Sequence, residues 1–194
     1  MTEIKKKDFS YLIEQVPLSK NLLSNHLKLY EGYVNNTNLL IRKLEEMRQA
    51  GRMLEPEFAE LKRRFAWEWN GVRLHELYFE NLGISCSLEE VPEVLNVINT
   101  FAGSIEAWKN DLVATAKMRG IGWVVTYYDE ENGSVFNVWI NEHNESHLAG
   151  LKPLVVIDVF EHAYLLDYGL DRATYIETII ENLNWKVIKK RLKG

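Results

Sequence analysis

A run of apolar residues, Pro153-Leu-Val-Val-Ile157, hands over directly to Asp158-Val-Phe-Glu-His-Ala-Tyr164, and this junction constrains the chain more than any other stretch. The run is short and rich in β-branched side chains, so it reads as a buried strand. If the chain turns helical at its end, Asp158 and His162 lie one turn apart on a single face, where both can ligate one metal ion. Glu161 then points elsewhere. On its own the pair leaves a second reading open, since a lone histidine on an amphipathic segment is most often a core or surface residue.

The chain has 194 residues, 46% of them hydrophobic, which is enough for a packed core in one domain or two small ones. Its net charge is −5, and lysine and arginine are scattered apart from Lys5-Lys6-Lys7, which reads as a solvated tail. No basic face is left for nucleic acid or an anionic membrane. No segment approaches the length of a membrane span. The single cysteine, Cys86, excludes an internal disulfide, and with no apolar leader at the start of the sequence a reducing, cytoplasmic setting is expected.

Periodicity divides the chain in two. From Ser19, a suitable N-cap, to about Arg48, apolar residues at Leu22, Leu23, Leu29, Tyr33, Leu40 and Leu44 recur near the helical period, with an irregularity expected near Gly32. Gly51 stops this helix, and a second runs from about Glu55 to Asn81 and ends at Gly83. Residues 85–103 and 104–119 read as two further helices. Strands are expected from Trp123 to Tyr128, from Val135 to Ile140 across a turn at Glu131-Asn132-Gly133, and from Leu154 to Ile157. Helix resumes from Glu161 through Tyr175 to Asn182, with a last short helix after Trp185. The fold class is therefore α+β: an N-terminal antiparallel helical hairpin domain over residues 1–84, then a C-terminal α/β domain over residues 85–194 with a small three-stranded antiparallel sheet flanked by helices.

There are five histidines: His26, His75, His143, His147 and His162. The spacing His143-Asn-Glu-Ser-His147 does not make a zinc-protease site, because there the glutamate has to follow the first histidine directly. Five segments share another pattern. Tyr33-Val-Asn-Asn36, His75-Glu-Leu-Tyr-Phe79, Gly120-Ile-Gly-Trp123, Asp158-Val-Phe-Glu-His-Ala-Tyr164, and Asn182-Leu-Asn-Trp185 with Lys190-Arg-Leu192 resemble, in the same order, signature segments of the manganese/iron superoxide dismutases. The resemblance runs from about Leu18 to the C-terminus.

By that resemblance, His26, His75, Asp158 and His162 are the ligands of one Fe or Mn ion per subunit, a donor set that suits either metal and leaves a position for solvent. The resemblance also implies that Tyr33 sits at the substrate entrance and that His143 hydrogen-bonds the solvent. Gly71 stands where many iron enzymes carry a glutamine for that purpose, and His143 in place of glutamine favours iron. Trp123 is implied to wall the site and Arg172 to lie near the substrate funnel; against a net charge of −5 its charge, with that of Lys28, is expected to steer an anion, and His147 reads as a packing residue. Glu161 and Tyr164 are implied to cross the interface of a homodimer or homotetramer, Glu161 accepting a hydrogen bond from the partner's copy of the last histidine ligand. The implied reaction is the ping-pong dismutation of superoxide anion to O2 and H2O2. The chain departs from the family pattern in that Tyr33 follows His26 by seven residues rather than eight. Leu29 and Tyr30 stand where a histidine guards the channel, and Phe160 and Val125 replace tryptophans.

Two other readings predict different metal contents. A helical interaction protein that kept the fold without catalysis holds no ion. A di-iron carboxylate bundle holds two, but it uses Glu-x-x-His pairs, which the chain lacks.

Overall fold

Ser19 opens the first long helix: its Oγ accepts the Leu22 amide at 3.1 Å, and α1 (Lys20–Gln49) then runs without a break. This is a computed structural model, and it describes residues 2–83 and 85–194; residue 84, where the sequence places the end of the hairpin domain, lies outside the described residues. The irregularity expected near Gly32 does not occur. A glycine there weakens the helix by about 1 kcal/mol relative to alanine, and the packing of Leu22, Leu23, Tyr30, Val34, Ile41 and Leu44 on one face outweighs it. The second helix, α2 (Pro56–Glu80), starts on a proline, whose missing N–H is no loss in a first turn, and it returns against α1.

Past the hairpin, Pro92 sets the start of α3 (Pro92–Ala102). The helix expected over residues 85–103 is therefore shorter and preceded by a 3-10 turn at Leu88–Glu90, capped by Ser87 and Glu90. After α4 (Ile105–Ala116) come β1 (Gly122–Asp129), β2 (Ser134–Asn141) and β3 (Lys152–Asp158), then α5 (Leu165–Tyr168), α6 (Arg172–Glu181) and α7 (Trp185–Lys193). The strands form one antiparallel sheet in the order β2-β1-β3. Its register sets Trp123 on β1 opposite Asp158 on β3, and residues directly opposite share a face. Gly122 makes this possible: a Cβ at that position would lie 2.0 Å from the Ile140 carbonyl oxygen.

One continuous core joins the hairpin to the sheet and the C-terminal helices, from Leu22 and Phe79 through Trp123 and Ile157 to Tyr175 and Ile179. Polar ties run beside it. The Arg191 guanidinium on α7, only 12% exposed, donates to the carbonyls of Leu77 on α2 and Leu154 on β3, each at 2.8 Å, and to Glu80 at 3.2 Å. The N-terminal lysines are not a loose tail. Asn38 exchanges two hydrogen bonds with the backbone of Ile4, the Lys7 amide donates to Tyr30 Oη at 3.0 Å, and Lys7 Nζ pairs with Glu80 at 2.9 Å.

Candidate metal centre

His26 on α1, His75 on α2, Asp158 at the end of β3 and His162 just beyond it each offer one donor atom, and these four atoms lie within 4.8 Å of one another. Nε2 of His26 and Nε2 of His162 each stand 3.1 Å from Asp158 Oδ2, and Nε2 of His75 stands 3.6 Å from it. Donors bonded at roughly 2 Å to one ion are about 3–4 Å apart, so the spacing fits a shared cation. His75 supplies an independent sign. Its Nδ1 donates to the Gly71 carbonyl at 2.6 Å, which fixes the tautomer and leaves a lone pair on Nε2, a buried atom with no hydrogen-bond partner.

Asp158 and His162 do not meet through a helix. The Phe160 amide donates to Asp158 Oδ1 at 2.9 Å, a local turn that competes with helix formation, and His162 follows in a 3-10 turn over Glu161–Ala163. That turn brings the two groups together by a tighter route. From the other side, Tyr175 Oη donates to the Asp158 carbonyl at 2.8 Å and lies 3.1 Å from Tyr78 Oη.

Burial would raise the Asp158 carboxyl, but the imidazoles of His162 and His26 outweigh it and hold the group well below the usual carboxylate range. Burial lowers His26 against the pull of Asp158, and burial together with His26 lowers His75 further. Both rings are therefore neutral near pH 7, the form in which an imidazole binds a metal.

Beside the cluster runs a hydrogen-bonded line. Trp123 Nε1 donates to His143 Nδ1 at 3.0 Å, and His143 Nε2 meets Tyr33 Oη at 2.8 Å. Because Nδ1 accepts, the ring proton of neutral His143 sits on Nε2 and is donated to Tyr33. Burial lowers His143 to about 4, and burial with the Asp158 charge raises the Tyr33 phenol, so both stay neutral. Tyr33 reaches this place despite its shorter spacing from His26. Seven residues make nearly two full turns of an unbroken α-helix, so both side chains lie on one face of α1. Phe160 stacks on His143 and His162 at 4.8 and 5.2 Å.

The remaining residues stand further out. His147 braces the loop, its Nε2 donating to the His143 carbonyl and its Nδ1 accepting from Tyr127 Oη. Tyr30 is buried, its hydroxyl engaged by Glu76 and the Lys7 amide. Arg172 spends its fork on the carbonyls of Met118 and Gly120, at 2.8 and 3.1 Å, and on Tyr164 Oη. Its side chain thus clamps the segment between α4 and β1. The Glu161 carboxylate is exposed.

Residues 90–191, more than half the chain, match the family model for iron/manganese superoxide dismutases, C-terminal domain. Over 181 residues the chain is 31% identical to the Fe superoxide dismutase of Saccharolobus solfataricus, spanning 91% of this chain and 86% of that protein. The chain belongs to the iron/manganese superoxide dismutase family. It is also 35% identical over 168 residues to the Fe superoxide dismutase of Aquifex pyrophilus, covering 84% and 78% of the two chains. To a Mn superoxide dismutase of Haloferax volcanii it is 29% identical over 186 residues, covering 91% and 92%. Three imidazoles and one carboxylate fit a single Fe or Mn ion in this family member.

Sequence reasoning passed over the structural use of Gly71. Its signal was a glycine inside a helical pattern. A Cβ at Gly71 would lie 2.5 Å from Cδ1 of Tyr33, so the glycine is what lets the Tyr33 ring pack against α2. Gly71→Ala should cost about 1–3 kcal/mol by overpacking and push Tyr33 off His143, while leaving the His75 carbonyl contact and metal content intact. A crystal structure of the variant checks this; an unmoved Tyr33 ring, or a protein that no longer holds metal, contradicts it.

Proposed function

We propose that this protein converts superoxide to O2 and H2O2 with one ion, iron in preference to manganese, held by His26, His75, Asp158 and His162. The observation that supports it most is the convergence of four donor atoms from separate elements, three of the residues fully buried, with the donor nitrogen of His75, Nε2, free of any hydrogen bond. Iron is preferred because of the Fe relatives and of His143 in place of glutamine.

Two superoxide anions and two protons give one O2 and one H2O2. When bound, the ion supplies the one-electron couple that takes an electron from the first superoxide and returns it to the second. The side chains manage protons and access. His143 donates from Nε2 to Tyr33 Oη, which leaves the phenolic hydrogen free to be donated toward the ligand cluster. Trp123 holds the imidazole in that tautomer, and with Phe160 it walls the site with apolar rings. In this reading Arg172 acts by bracing rather than by steering. Its donors are committed to carbonyls, a geometry that needs the guanidinium fork.

His75→Ala and Asp158→Ala should each abolish bound metal and dismutase activity together, because losing one strong donor leaves the ion weakly held. Circular dichroism should still report a folded apo protein. A variant that keeps full metal and full turnover removes the ligand assignment.

The proposal includes a homo-oligomer. Among the described residues neither the Glu161 carboxylate nor Nδ1 of His162 has a hydrogen-bond partner in its own chain, and Leu165, Leu166 and Leu170 nearby are exposed at 42%, 56% and 95%. A second copy of the chain that meets this face pairs Glu161 with the last ligand. Glu161→Ala should weaken the dimer in light scattering and lower metal retention in the same preparation. An unchanged dimer with unchanged metal means that Glu161 faces solvent. A cytoplasmic location is proposed from the single cysteine.

A further inference from the structure

The loop that carries His143 has a shape that needs a cause. Glu142, the residue before it, sits at φ +49°, a left-handed conformation uncommon for a residue with a side chain. The contacts that hold it there come from outside the loop. Its amide donates to the Ile121 carbonyl at 3.1 Å, and its carboxylate accepts the indole N–H of Trp67, on α2, at 2.8 Å. A hydrogen bond to a charged, half-buried acceptor is strong enough to outweigh the strain of one left-handed residue.

Trp67 does more than hold Glu142. Its ring meets His143 nearly edge-on at 4.5 Å and lies 5.6 Å from Tyr33, so one indole touches both members of the proton-handling pair. The ring's own orientation is fixed in turn. The Arg64 guanidinium lies 3.9 Å from its centre, and Arg64 is anchored 2.7 Å from the buried carboxylate of Glu68 one helical turn on. Trp123 and Phe160 also contact His143, but from other sides, and neither forms a hydrogen bond to Glu142.

We propose that Trp67 is a positioning residue for the reaction: its N–H on Glu142 and its ring edge on His143 keep His143 Nε2 on the Tyr33 hydroxyl. This rests on the dismutase reading of the metal centre. Without the N–H, Glu142 loses its anchor, the loop relaxes from the left-handed conformation, and His143 turns away from Tyr33. The metal ligands lie outside the Glu142–His143 loop and are untouched.

Four variants of the metal-loaded protein test it: Trp67→Phe, which keeps a ring but no N–H; Glu142→Ala; the two combined; and Glu142→Gln, whose amide oxygen still accepts an indole hydrogen. Trp67→Phe and Glu142→Ala should each lower kcat/KM about tenfold with metal content unchanged, and the double variant should be no worse than the poorer single, since both remove one bond. Glu142→Gln should recover most of the rate, which a general loss of packing would not allow. In a crystal structure of Trp67→Phe, the distance from His143 Nε2 to Tyr33 Oη should exceed hydrogen-bond range. Full rate in Trp67→Phe, losses that multiply in the double variant, an unchanged distance, or loss of metal in Trp67→Phe overturns the proposal. If the parent protein itself shows no dismutase activity, the functional reading fails, and the distance still decides whether Trp67 positions His143.

Discussion

The Asp158 carboxylate is taken out of water at the end of β3, and a carboxylate left unpaired there would cost several kcal/mol. Its surroundings answer that cost piece by piece. The Phe160 amide occupies Oδ1, three imidazole nitrogens crowd Oδ2, and Tyr175 takes the backbone carbonyl. Two of those imidazoles, His26 and His75, are held neutral by their own burial, so they bring no net positive charge of their own. A cation shared among the four residues would complete the balance, and the metal would in this sense be part of the fold's electrostatics as well as of its chemistry.

Much of the arrangement follows from keeping that carboxylate in place. The pairing of Trp123 with Asp158 fixes which face of the sheet the site uses. Gly122 admits the close approach of β2, whose following loop supplies His143. The long helices bring His26 and His75 in from the opposite side, and Arg191 ties α2 to β3 so that the two halves of the ligand set keep their spacing. Buried charge-assisted hydrogen bonds of this kind are worth about 1.5–3 kcal/mol each.

The parts of this picture legible in the sequence are those with a local cause. Ser19 marks the start of α1, Asn132-Gly133 the hairpin, and the apolar run before Asp158 the third strand, because capping, turn geometry and burial each act over a few residues. The shared face of His26 and Tyr33 has a local cause as well, since seven residues of an unbroken α-helix span nearly two turns. Other features depend on partners far along the chain. The turn at Asp158 takes the place of a helix because a side chain competes for the Phe160 amide, and nothing in the i, i+4 spacing tells the two apart. The bond between Trp67 and Glu142 spans 75 residues, and the fork of Arg172 is engaged by carbonyls, groups that every residue has and that no motif marks.

The central claim is that His26, His75, Asp158 and His162 hold one Fe or Mn ion between them. Anomalous diffraction from crystals of the protein as isolated, recorded on either side of the iron and manganese absorption edges, tests it directly. The expected result is one peak per chain, at iron or manganese, about 2.0–2.3 Å from all four donor atoms. No peak, two peaks in one chain, or a peak that leaves any of the four residues out of contact would contradict it.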